Sequence, residues 1–179
     1  CPNTEMGRDF FADPPHLRLL FDALSDLQID RPLFLKISPL GGIPAIERLL
    51  EAAEDYSFIS GFAFNLAPGK PPGLTTPGIE NLPGATAGKP IENQMNQCIR
   101  EMYRRMDRRR YRIIGIGGVF SAEDAYRKIQ LGASLVQLMT AMIYEGPDVL
   151  TRITRGLVRL LERDGLEHIG QAVGTGSGV

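Results

Sequence analysis

Five kinds of group able to do chemistry stand at recurring points in the 179-residue sequence. Cys1 and Asn3 open the chain. Lys36 interrupts the apolar run Leu33-Phe34-Leu35-Lys36-Ile37, and Asn65 follows the run from Phe58 to Phe64. Gly117-Gly118 follow Ile113-Ile114-Gly115-Ile116, and Met139-Thr140 follow Leu135-Val136-Gln137-Leu138. A thiol works as a base only when its pKa is drawn toward the working pH or its site is shielded. Carboxamides present a donor and an acceptor together, which suits a ring carrying both. A lysine amid apolar strand residues is costly unless its ammonium reaches solvent or a ligand, and we favour the ligand. Adjacent glycines either make a tight turn or let backbone N–H groups approach a phosphate. Phe120 stands where a dinucleotide fingerprint would have its third glycine, so that motif is not completed.

The elements that must position these groups alternate in type. Leu17, Leu20, Phe21 and Leu24 form a helical stripe behind Pro14-Pro15. Further stripes are Ile46, Leu49, Leu50 and Ala53, then Met95, Ile99, Met102 and Tyr103 within 91–106. Ser121 and Asp124 have the spacing of a capping box opening a helix that runs to Leu131. Pro147 starts a last helix, with Val149, Leu150, Ile153, Leu157, Leu160 and Leu161 expected inward and Asp164-Gly165 as its stop. The four apolar runs between helices read as short, buried parallel strands. One helix followed by four strand–helix units predicts right-handed βαβ connections and an α/β fold in a single domain over 1–179. A Gly/Pro-rich stretch from Ala67 to Pro90 is too long to be an ordinary connection and reads as functional or disordered. In parallel α/β folds the active site lies at the carboxyl ends of the strands, and all five kinds of group fall on that rim.

Composition removes several classes of function. Lys+Arg 20 against Asp+Glu 21 gives a net charge of −1, with no global pull toward nucleic acid or an anionic membrane. Arg100, Arg104, Arg105, Arg108, Arg109, Arg110 and Arg112 form a dense basic run, read here as a solvated helix end rather than a nucleic-acid patch. Two cysteines and two histidines make neither a disulfide framework nor a zinc site, which suits a reducing, cytoplasmic setting. No apolar run has the length of a membrane span. The length also falls short of a full eight-fold β/α barrel, for which about 200 residues is the low end.

The order of motifs resembles the dihydroorotate dehydrogenases. It runs through Cys1-Pro2-Asn3-Thr4, Leu35-Lys36-Ile37, Asn65, Ala87-Gly88-Lys89-Pro90, Ile113 to Val119, Gly132 to Leu138 and Glu145-Gly146-Pro147. The resemblance covers almost the whole chain. It implies a TIM (β/α)8 barrel, of which this chain supplies about the second half, starting at the catalytic loop. It implies oxidation of dihydroorotate to orotate with flavin mononucleotide (FMN) in pyrimidine synthesis, with the isolated half inactive. By position, Cys1 matches the base that takes the C5 proton while C6 gives hydride to the flavin. Asn3 and Asn65 match residues holding the substrate, and Lys36 matches the lysine beside the flavin N1/O2 edge. Gly88, Gly118, Met139 and Thr140 match positions around the FMN phosphate, which the Gly117-Gly118 turn also suits. Leu66, Phe64 and the stretch Gly84 to Pro90 depart from the family's usual residues. The cysteine base resembles the fumarate- or NAD-linked enzymes, whereas the carboxy-terminal segments resemble the quinone-linked ones, which lie peripherally on the inner membrane. Two alternatives stand beside this reading: a related flavin barrel acting on another reduced pyrimidine, and a non-catalytic half barrel. Four strands leave two open sheet edges, so self-association or pairing with the missing amino-terminal half is expected.

Overall fold

The computed structural model describes residues 13–37, 42–64, 73–82 and 84–179. Cys1, Asn3 and Asn65 lie outside the described residues. Four strands, β1 (Leu33–Ile37), β2 (Ile59–Phe64), β3 (Arg112–Ile116) and β4 (Leu135–Gln137), form one parallel sheet in the order β1-β2-β3-β4. The helices are α1 (Pro14–Ser25), α2 (Gly42–Glu54), α3 (Glu92–Arg105), α4 (Ala122–Gln130), α5 (Thr140–Glu145) and α6 (Asp148–Arg163). Sequential order in a parallel sheet places every carboxyl end on the same rim, as the alternation predicted.

Side chains alternate across a strand, and here only one face of the sheet is covered. Leu35, Ile37, Phe62, Phe64 and Ile113 are buried beneath α1, α2 and α3, with Met95, Ile99 and Met102 from α3 among their neighbours. A second packing region lies between α4 and α6, where Ala125, Val149 and Ile153 meet. The carboxy-terminal tail closes over α4: the N–H groups of Gly174 and Gly176 donate to the carbonyls of Ile129 and Gln130. On the other sheet face the register aligns Lys36, Ala63, Ile114 and Leu135 in one row. Lys36 is exposed and Leu135 is 59% exposed. Strands apolar along their length predicted two buried faces. Among the described residues, the helices leave the second face open.

Two more expectations change. Leu150, expected inward, is 45% exposed because the apolar stripe of α6 centres on Val149, Ile153 and Leu160. The short helix α5 fills the connection after β4, where the sequence pattern gave no helix. The Ala67–Pro90 stretch, where described, contains two single-turn 3₁₀ segments, Ile79–Asn81 and Lys89–Ile91. The second leads directly into α3 and brings Gly88 to the site rim.

Part of the basic run makes contacts within the fold rather than ending in solvent. Arg110 reaches back to the carboxyl end of α2, donating to the carbonyls of Ala53, Glu54 and Tyr56 at 3.0, 2.6 and 2.6 Å. Arg105 pairs with Glu101 and Glu47. Arg108 lies over the Tyr103 ring. Among the described residues, no helix is long and apolar enough to cross a membrane.

Candidate active-site rim

Three segments meet at the carboxyl ends of β3 and β4: the turn after β3, the start of α5, and the turn at 88–92. Gly88 has φ +82° and is buried. A Cβ there would stand 2.9 Å from the Thr140 methyl, so only glycine lets this backbone lie against Thr140. Gly118 has φ +76°, and a Cβ on it would fall 2.4 Å from Glu92 Cβ. Gly117, at φ +90°, packs in the same way against Ile91 and Met95. The structure therefore brings Gly88, Gly117, Gly118 and Thr140 together around the 88–92 turn, with Met139 preceding Thr140 in the chain. Met139 stands at the outer edge, 64% exposed. Lys36 projects from the open sheet face two strands away, roughly 10 Å at normal strand spacing. Its ammonium has no hydrogen-bond or ion-pair partner among the described residues.

Beneath this rim lies a charged network that sequence reasoning saw only in part. The Asp124 carboxylate accepts from the N–H groups of Phe120 and Ser121, both at 2.9 Å, and Ser121 Oγ accepts from the N–H of Asp124 at 3.2 Å. This is the predicted capping box, and it fixes the turn that starts at Gly117-Gly118. Lys89 donates to Asp124 at 2.5 Å and to Glu92 at 2.8 Å. Burial works against the Lys89 ammonium, but the two carboxylates outweigh it and raise its pKa above the ordinary lysine value. Burial likewise opposes ionisation of Asp124, yet Lys89 and the turn N–H groups hold its pKa below the usual carboxylate value.

Lys128 is fully buried against β3 and donates to Asn96 Oδ1 at 2.7 Å. Gly115 makes room for it, because a Cβ there would meet Lys128 carbons at 3.2 Å. Burial pushes the Lys128 pKa down to about 8, with Glu92 and Asp124 pulling the other way. The signal for Lys128 was present in the sequence: it sits three residues after Ala125 on the apolar stripe of α4. Cys98, the thiol among the described residues, is buried in α3, and desolvation pushes its pKa up to about 11, which favours the thiol over the thiolate.

Geometry alone gives a rim of close-packed glycine backbone over a balanced charge network, with a lysine on the open face. The model of the dihydroorotate dehydrogenase family matches residues 1–161 of the chain. The chain belongs to the dihydroorotate dehydrogenase family. It is 37% identical over 174 residues to a dihydroorotate dehydrogenase (quinone) of Haloarcula marismortui, covering 97% of this chain and 48% of the relative. A protein of the same name from Halobacterium salinarum is 39% identical over 178 residues, with the same two coverages. The ligand-free structure of the dihydroorotate dehydrogenase of Eimeria tenella superposes with a TM-score of 0.84 at 26% identity, covering 97% of this chain and 53% of that one. The structure of that enzyme with ferulenol gives a TM-score of 0.86. The chain spans about half the length of the curated relatives it matches. Its four strand–helix units are thus about half of the family's barrel.

Proposed function

We propose that this chain carries the flavin-phosphate and substrate grips of an enzyme that oxidises dihydroorotate to orotate for pyrimidine synthesis. The observation that supports this most directly is the meeting of Gly88, Gly118 and Thr140 at one rim, with a lysine on the open face two strands away. Glycine backbone in turns at the strand ends, held close by Thr140, Ile91, Met95 and Glu92, can aim its N–H groups at a phosphate monoester. FMN, when bound, supplies the acceptor for the hydride that leaves C6 of dihydroorotate.

The chain's own residues do the rest. Gly88, Gly117, Gly118, Met139 and Thr140 hold the phosphate end. Lys36 places a cation at the edge of the flavin where negative charge accumulates on reduction. Cys1 Sγ takes the proton from C5, and Asn3 and Asn65 hold the ring and carboxylate of the substrate through their amides. These three residues are assigned by their positions in the family match. A half barrel leaves this site open to water, so turnover requires the amino-terminal half. We assign a quinone as final acceptor, on the strength of relatives so named that match across 97% of the chain. The residue at position 1 is the point of departure from that class, and peripheral membrane association goes with the quinone reading.

The test is turnover of dihydroorotate by the protein in the length its relatives have, compared with its Cys1→Ala variant. Loss of general-base catalysis is expected to lower kcat by about 10²–10⁴-fold, with FMN content unchanged. Equal rates would reject Cys1 as the base.

A further inference from the structure

Two carboxylates lie under the phosphate rim. Glu92 packs its Cβ against the Gly118 backbone, and Asp124 is bonded to the N–H groups just beyond it. Their side chains are only 17% and 12% exposed, so water screens them poorly. Left alone, they would repel a phosphate dianion seated on the same turn. Two ammonium groups face them: Lys89, bonded to both, and Lys128, buried behind. Two cations against two anions leave the network neutral.

We infer that Lys89 is a positioning residue for FMN: bridging Glu92 and Asp124, it cancels their field beneath the Gly117-Gly118 turn so that the turn accepts the phosphate. This rests on the flavin reading given above. Asp124 earns its place by ordering the turn, and its charge becomes tolerable to the phosphate only while Lys89 is present. The lysine is one residue from Gly88, so its tether also keeps the 88–92 turn on the rim.

The experiment is equilibrium titration of the full chain with FMN and, separately, with riboflavin, which lacks the phosphate. Lys89→Met is expected to weaken FMN about tenfold and to leave riboflavin within twofold. Lys89→Met/Glu92→Gln, which removes one carboxylate charge as well, is expected to recover most of the loss. Lys89 is 48% exposed, so the substitution leaves the core intact, and Lys89→Arg serves as the conservative control that retains FMN binding. An unchanged FMN affinity in Lys89→Met, an equal loss for both flavins, or no recovery in the double variant would each overturn the inference. Failure of the wild type to prefer FMN over riboflavin would instead overturn the phosphate-site reading on which it rests.

Discussion

Lys128 shows what a single buried charge does to this protein. In the unfolded chain its ammonium holds its proton up to the ordinary value of 10.5, whereas in the folded chain burial lowers this to about 8. Between these values the unfolded state binds more protons, so the Lys128 contribution to stability rises with pH. Urea melts of the wild type and Lys128→Met, run from pH 7 to 10.5, are expected to diverge, the wild type gaining on the order of 3 kcal/mol relative to the variant. Parallel profiles would show that the ammonium is not desolvated. The residue types of the candidate site were legible because each interrupts an apolar pattern: Lys36 within a strand, the glycine pair at a strand's end. The partners of Lys89 and Lys128 were not legible, since Glu92, Asn96 and Asp124 come from two different helices. Only the packing of α3 against α4 brings them together.

At the scale of elements, local signals sufficed where the signal was itself local. The Ser121 capping box lies where the spacing put it, and Gly165, at φ +68°, follows α6 as its stop. Signals failed where tertiary contacts decide. Helix α5 is six residues long, and its Met142, Ile143 and Tyr144 are exposed, so no apolar stripe announced it. The arginine run was read as a solvated helix end, but Arg110 instead caps α2, more than fifty residues earlier in the chain, a partner the sequence did not show. A cation on carbonyls at a helix's carboxyl end answers both the orphan acceptors and the dipole. Arg110→Ala is expected to destabilise the protein by about 1–2 kcal/mol in urea unfolding, and Arg109→Ala, which makes no such contact, by less than about 0.5 kcal/mol. Equal effects of the two would contradict the capping role.

At the scale of the whole molecule, the shortfall in length becomes the organising fact. The sequence predicted four parallel strands with helices, and that is what the described residues form. The sequence could not show that one face stays open among the described residues, because Phe34, Ile114, Ile116 and Leu135 look like core until the described helices are seen to cover only the opposite side. Matches at 97% of this chain but 48% of its relatives make this sheet about half of the family's barrel. The rim proposed to hold the phosphate draws on described segments of this chain, at the ends of β3 and β4 and the 88–92 turn. The measurement that bears most directly on this account is flavin absorbance and fluorescence of the purified chain, as isolated and after titration with FMN. The account predicts a yellow protein, or one that takes up FMN in a saturable way with altered flavin fluorescence. A colourless chain whose addition leaves FMN absorbance and fluorescence unchanged at saturating concentration would contradict it.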